Sequence, residues 1–204
     1  MIAIIDYDAG NVKSVEKALE YLGEEYVLTR QEDRILSAEG VILPGVGAFG
    51  DAMNRLSEYH LTDTLRQVAQ SGTPFLGICL GLQLLFDESE ESPGVPGLGI
   101  LKGKVLRIPA VDGLKVPQIG WNDLQYPNPG RLFRDVPEGT FVYFVHSYYL
   151  QAEDPYIVTA TTQYGVTIHA SVESGNVFAT QFHPEKSSDP GLKMLRNFTA
   201  LTKG

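Results

Sequence analysis

Cys79 is the only cysteine in the chain, and it stands in Gly77-Ile78-Cys79-Leu80-Gly81. A short apolar run from Phe75 leads into it, and residues 80–86 read as the start of a helix. A Gly-x-Cys-x-Gly at a strand-to-helix turn is the thiol form of the nucleophile elbow, a turn too tight for side chains two places before or after the nucleophile. It leaves the sulfur at a helix N-terminus, where free backbone N–H groups and the helix dipole favour thiolate over thiol. The N–H of Leu80 is then placed to hold a developing oxyanion. A lone cysteine is commonly a buried structural residue instead. The flanking glycines favour chemistry.

A thiolate nucleophile needs a base, and the base needs an orienting group. His60 falls at a helix junction, His169 within a Thr-rich strand and His146 within an aromatic strand, so all three read as scaffold. His183 differs. It closes the apolar run 177–182 and is followed by Pro184-Glu185. Function in parallel sheets gathers at strand carboxyl ends, and Cys79 also lies at one. Residues two apart in an extended chain project to the same side, roughly 6.5–7 Å apart, and Pro184 biases His183 toward extended geometry. Glu185 can then reach back to one ring nitrogen, fix the tautomer and stabilise imidazolium. The competing reading is a strand-end turn with a solvated Glu185. The loop Pro44-Gly45-Val46-Gly47-Ala48-Phe49-Gly50 can turn backbone N–H groups toward a ligand, because glycine permits positive φ. By itself it also reads as a plain strand-to-helix turn.

These residues need a scaffold. The length of 204 residues suits one domain spanning 1–204, with an apolar content of 43% and a charged content of 20%. A formal net charge of −9 argues against nucleic acid or an anionic membrane as partner. No apolar run approaches a membrane span, and the N-terminus reads as a strand rather than a leader. A single cysteine precludes an internal disulfide, which fits a cytoplasmic location. No Cys/His cluster has zinc spacing, and there is no P-loop or Gly-x-Gly-x-x-Gly, so the expected chemistry uses no metal and no organic cofactor.

Residues 2–7, 26–28 and 41–43 read as strands, followed by the elbow strand. The spacing predicts helices after Asn11 (a plausible N-cap) up to a stop at Gly23, over 52–59 and over 61–71. Alternation of strand and helix to about residue 90 implies a parallel sheet. Residues 88–99 read as an acidic surface loop. Strands are expected at 103–108, 118–121, 140–150, 157–162, 166–172 and 176–182, many without helices between them, so part of the second half is antiparallel. Residues 191–201 read as a last helix.

GICLGLQ together with QFHPEKS resembles the class I (triad) glutamine amidotransferases, and the resemblance covers the whole chain. It implies a three-layer α/β, flavodoxin-like fold with a mostly parallel central sheet. It implies Cys79 as nucleophile, His183 as acid/base and Glu185 as its orienter. The Gly45–Val46 loop looks like the family's oxyanion strand, sharing that task with Leu80. Gln83, Gly47 and the Ser147–Tyr148 backbone look like contacts to L-glutamine. Three further stretches, IDYDAGN, VPQIGWN and YFVHSYY, resemble a histidine-pathway subfamily of these glutaminases. Asp8 stands where that subfamily more often has Gly. This resemblance implies a heterodimer in which the partner is a (β/α)8 cyclase subunit, docked against the triad face and receiving ammonia. Lys186, Trp121 and Asn11 are then interface residues, although alone Lys186 reads as a solvated lysine and Trp121 as a core or interface aromatic. A glutaminase of another amidotransferase, or a non-catalytic regulatory module of the same fold, are the alternatives.

Overall fold

The computed structural model describes residues 1–8 and 11–203. Its first half runs β1 (Ile2–Ile5), α1 (Val12–Leu22), β2 (Tyr26–Thr29), α2 (Glu32–Leu36), β3 (Gly40–Leu43), α3 (Phe49–Glu58), α4 (Leu61–Ser71), β4 (Phe75–Ile78) and α5 (Leu80–Leu84). The second half runs β5 (Glu88–Ser89), β6 (Gly103–Arg107), β7 (Gln118–Asp123), β8 (Phe141–His146), β9 (Tyr148–Ala152), β10 (Val158–Gln163), β11 (Thr167–Ser174), β12 (Val177–Thr180) and α6 (Ser188–Leu201).

The central sheet has the order β10-β11-β12-β4-β3-β1-β2. Strands β2, β1, β3, β4 and β12 are parallel, and β11 and β10 extend the sheet antiparallel. The parallel part has the flavodoxin-like order. Its apolar runs are continuous because successive side chains point to opposite faces and both faces are covered. Ala3, Ile5, Val41, Leu43 and Phe75 enter one core with Ile35, Leu56, Leu65 and Val68 of the helices α2, α3 and α4. Ile2, Ile4, Ile42, Leu76 and Ile78 enter the other with Val15 and Leu19 of α1 and Leu195 and Phe198 of α6. The expected three-layer α/β fold with a mostly parallel sheet is therefore present. Among the described residues, no helix is long and apolar enough to cross a membrane.

Several expected boundaries move for physical reasons. Helix α2 lies between the second and third expected strands, in a polar stretch for which no element is predicted. Helix α3 begins at Phe49, three residues early, because Glu91 Oε2 and Ser92 Oγ accept from the N–H groups of Phe49 (2.8 Å) and Gly50 (2.9 Å). These caps come from a distant part of the chain, in the supposed surface loop, and no local pattern encodes them. The predicted strand 140–150 breaks at Ser147. Strand β8 pairs with β7, whereas β9 pairs with β6, so the chain changes sheets there. Asn11 occupies the cap position of α1 with φ 71° but caps no backbone N–H; its Oδ1 accepts from Ser14 Oγ at 3.0 Å. Ala9 and Gly10, part of the same predicted turn, lie outside the described residues.

Asp8 has φ 61°, a conformation that explains why glycine suits the position. The aspartate compensates through its side chain, which accepts from Tyr59 Oη and from Arg30 (2.9 Å). The Tyr59 hydroxyl and then Arg30 hold its carboxyl below the usual carboxylate range.

Candidate active site

Strand β4 ends at Ile78, and Cys79 follows with φ 56° and ψ −108°. A non-glycine residue held there is strained, and such strain persists only where the surroundings fix it. Two hydrogen bonds help to do so. Cys79 N–H donates to Thr180 O at 2.7 Å, and Cys79 O accepts from Leu82 N–H at 3.0 Å. The glycine requirement is steric. A Cβ on Gly81 would lie 1.9 Å from the Leu43 carbonyl oxygen, and one on Gly77 2.7 Å from the Gly81 carbonyl oxygen. The elbow expected from sequence is therefore formed. Helix α5 has only five residues, so the expected dipole effect reduces to the nearest few N–H groups.

Strand β12 lies beside β4 and delivers His183 to the same sheet edge. His183 is extended (φ −99°, ψ 96°), as the following proline predicts. Residues Pro184–Lys186 form one 3-10 turn, not the continued strand assumed from the spacing. Glu185 reaches back across that turn, and its Oε1 lies 2.7 Å from His183 Nδ1. Both side chains are 2% exposed. Burial alone would depress the imidazole, but Cys79 and Glu185 outweigh it and push His183 up to about 10. His183 Nε2 is buried and makes no hydrogen bond among the described residues, so it remains open for proton transfer. A tight approach secures the turn: a Cβ on Gly191 of α6 would lie 1.9 Å from the Pro184 carbonyl oxygen.

A cavity of about 240 Å³ opens over the sulfur, lined by Val46, Gly47, Cys79, Leu80, Gln83, Glu91, Val145, His146, Ser147 and Tyr148. Most of the residues singled out from sequence for the glutamine site thus meet here. Gly45 sits behind the wall, and its carbonyl accepts from Leu80 N–H at 3.3 Å. One expected oxyanion donor is therefore already engaged by the loop expected to supply the other. Gly45 itself admits no side chain, since a Cβ would lie 2.4 Å from Tyr7 Oη. That hydroxyl donates to Pro44 O at 2.7 Å. Burial, and next the neighbouring Cys79 charge, push the Tyr7 phenol well up, so it stays a donor. His146 is structural, as expected: Nδ1 faces Tyr148 O and Nε2 faces the Gln118 amide, each at 2.8 Å. Burial pushes it down to about 4.

Trp121, Lys186 and Asn11 lie outside the cavity. Trp121 is 51% exposed on β7, edge-on to Tyr143 at 6.1 Å between centroids. Lys186 is exposed. The sequence reading missed Tyr7, Glu91 and Gln181. Glu91 is one carboxylate among several in an acidic stretch. Gln181 does carry a signal, as the only large polar side chain in the run Val177-Phe178-Ala179-Thr180-Gln181-Phe182.

The elbow on β4, the His–Glu pair after β12 and the glycine loop after β3 converge on one edge of a flavodoxin-like sheet. Residues 3–201 match the family glutamine amidotransferase class-I, and the chain belongs to that family. Among curated relatives, the imidazole glycerol phosphate synthase subunit HisH of Moorella thermoacetica is 54% identical over 99% of this chain and 95% of its own. The HisH subunit of Thermosynechococcus vestitus is 50% identical over 99% and 97%. Within the family this chain therefore groups with the HisH subunits. Among solved structures, a glutamine amidotransferase has a TM-score of 0.78 at 23% identity, covering 100% of both chains. A glutamine amidotransferase from Thermotoga maritima has 0.69 at 17%, covering 100% and 98%. These two likenesses concern the fold.

Proposed function

We propose that the chain is a single glutaminase domain of an imidazole glycerol phosphate synthase in histidine biosynthesis, with Cys79, His183 and Glu185 as its triad. The observation that carries the reading is the Nδ1–Oε1 contact of 2.7 Å between His183 and Glu185, set beside a cysteine in a strained elbow. L-Glutamine enters the cavity over Cys79. Its α-ammonium group pairs with Glu91, the anionic side chain in the lining, and its chain runs past Gly47, Gln83, Ser147 and Tyr148.

The thiolate attacks the side-chain amide carbon. The tetrahedral oxyanion is held by N–H groups of Leu80 and of the Gly45–Val46 loop, each worth roughly 3–4 kcal/mol. The loop first releases Leu80 N–H, which Gly45 O occupies, and turning the Gly45–Val46 peptide removes that carbonyl and presents Val46 N–H in one step. His183, protonated, gives its proton to the departing ammonia. A γ-glutamyl thioester remains. Water deprotonated by His183 attacks it, the thiolate leaves and glutamate is released.

Ammonia passes to a partner subunit, read here as a (β/α)8 cyclase forming a heterodimer, in a cytoplasmic enzyme. The partner uses it to make imidazole glycerol phosphate and aminoimidazole carboxamide ribotide from the corresponding ribotide. Ile119, Trp121 and Phe141, which are 63%, 51% and 56% exposed, share one face of the β7–β8 pair by register. They make an apolar surface on the strand pair whose Tyr143 carbonyl accepts from His183 N–H, and Lys186 and Asn11 are read as further contacts to the partner.

A diazo ketone analogue of glutamine tests the triad. It is expected to label Cys79, and Cys79→Ser is expected to abolish glutamine use while the assembled enzyme still cyclises with added ammonium salts. Loss of both activities in Cys79→Ser would make the cysteine structural.

A further inference from the structure

The thiol of Cys79 faces a side chain that the triad does not include. Gln181 is fully buried, and its Nε2 lies 3.7 Å from Cys79 Sγ, within reach of an N–H to sulfur hydrogen bond. An amide side chain can present either end, so its orientation has to be fixed from elsewhere. Here the fixed point is a backbone carbonyl. Tyr148 O can only accept, and it receives an N–H from Gln83 Nε2 at 3.1 Å. The second N–H of the same Gln83 nitrogen donates to Gln181 Oε1 at 3.1 Å. Oxygen thus faces Gln83, and the Gln181 N–H group faces the sulfur.

The sulfur also has the Val145 carbonyl oxygen 3.9 Å from Sγ. It can take the proton of a thiol but repels a thiolate. Of these two groups, Gln181 alone favours the charged form.

We infer that Gln181 is a positioning residue for the nucleophile, whose amide N–H, oriented by the one-way chain Tyr148 O, Gln83, Gln181, stabilises and aims the Cys79 thiolate. This rests on the reading of Cys79 as the nucleophile. The chain has a second consequence. Both amide hydrogens of Gln83 are engaged inside the protein, so Gln83 offers bound glutamine only its oxygen. The wall at Tyr148 and the sulfur then belong to one hydrogen-bonded unit, and a shift of either is felt by the other.

The test is alkylation of Cys79 by iodoacetamide as a function of pH, which needs neither substrate nor oxyanion hole. Gln181→Met keeps the volume and removes the donor. Its alkylation curve is expected to move to higher pH. Its kcat for glutamine in the assembled synthase falls by about tenfold or more, the size expected for a hydrogen bond to a charged group, while KM stays within about twofold. Gln181→Glu, which puts an acceptor against the sulfur, moves the curve further. Gln83→Met leaves the Gln181 amide free to turn and moves it in the same direction, which covers the case of a Gln181 variant that fails to fold. Curves that superimpose on the wild type in these variants overturn the inference. Wild-type protein that alkylates normally yet releases no glutamate in the assembled synthase would instead overturn the functional reading.

Discussion

At the scale of single residues, two buried histidines are set to opposite tasks by the groups around them. His183 is raised against burial to about 10 by Cys79 and the Glu185 carboxylate. His146 is lowered to about 4, mainly by burial, and stays neutral. The stability consequences have opposite signs. The unfolded chain protonates its histidines near 6.5. The contribution of His146 is thus present above 6.5 and lost as pH falls toward 4, a change of up to roughly 3 kcal/mol. That of His183 is present below 6.5 and lost as pH rises through about 10. Denaturant unfolding at pH 7 and pH 4.5 is expected to show that His146→Gln loses less stability between the two than the wild type does. An equal loss would remove His146 as a source of acid sensitivity. The contrast between the two histidines was legible in the sequence, because Pro184-Glu185 follows only one of them. The tasks of Gln181 and Glu91 were not, since they depend on which distant residue each one meets.

At the scale of elements, the site depends on close approaches that only glycine allows, three of them between segments distant in sequence or on different elements. Gly81 meets the end of β3, Gly45 meets Tyr7, and Gly191 meets the turn carrying Glu185. The first couples the elbow directly to the strand that leads into the Gly45–Val46 loop. Gly81→Ala places a methyl group 1.9 Å from the Leu43 carbonyl oxygen, and backbone atoms have to move. We expect a loss on the order of 1–3 kcal/mol in stability, read from the denaturant midpoint, together with loss of glutaminase activity. Gly23→Ala, at an open site with φ 73°, is the control: it costs stability through backbone strain and leaves the activity of the folded protein intact. A Gly81→Ala protein of wild-type stability and activity would contradict the steric account of the elbow. Most of the parallel sheet was legible because strands buried on both faces are continuous apolar runs. The break at Ser147 was not, because β8 and β9 together form an unbroken strand-like stretch, and only the separate partners β7 and β6 divide it. The early start of α3 was hidden for the same reason, its caps being supplied by Glu91 and Ser92.

At the scale of the whole molecule, a closed ring of hydrogen bonds joins the turn bearing His183 and Glu185 to the exposed β7–β8 pair. His183 N–H donates to Tyr143 O at 3.0 Å, and Tyr143 N–H donates to Ser187 Oγ at 3.0 Å. That hydroxyl donates back to His183 O at 2.6 Å. The backbone of β8 at Tyr143 is thus tied through both its N–H and its carbonyl to the turn that carries Glu185. Leu80 N–H is held by Gly45 O, so the oxyanion donor of the proposed mechanism is already engaged. In the proposed function this arrangement is the resting state of the glutaminase, released when the partner subunit docks. The motifs carried by the sequence led to the family and its reaction, whereas the resting position of the Gly45–Val46 peptide is a property of the folded loop.

The most direct measurement is glutamate release from glutamine by this chain alone, then with the cyclase subunit, then with both the ribotide ligand and the cyclase. The account predicts slow release by the isolated chain and strong stimulation in the full mixture, because docking and ligand together free Leu80 N–H. Equal rates in all three mixtures would contradict it.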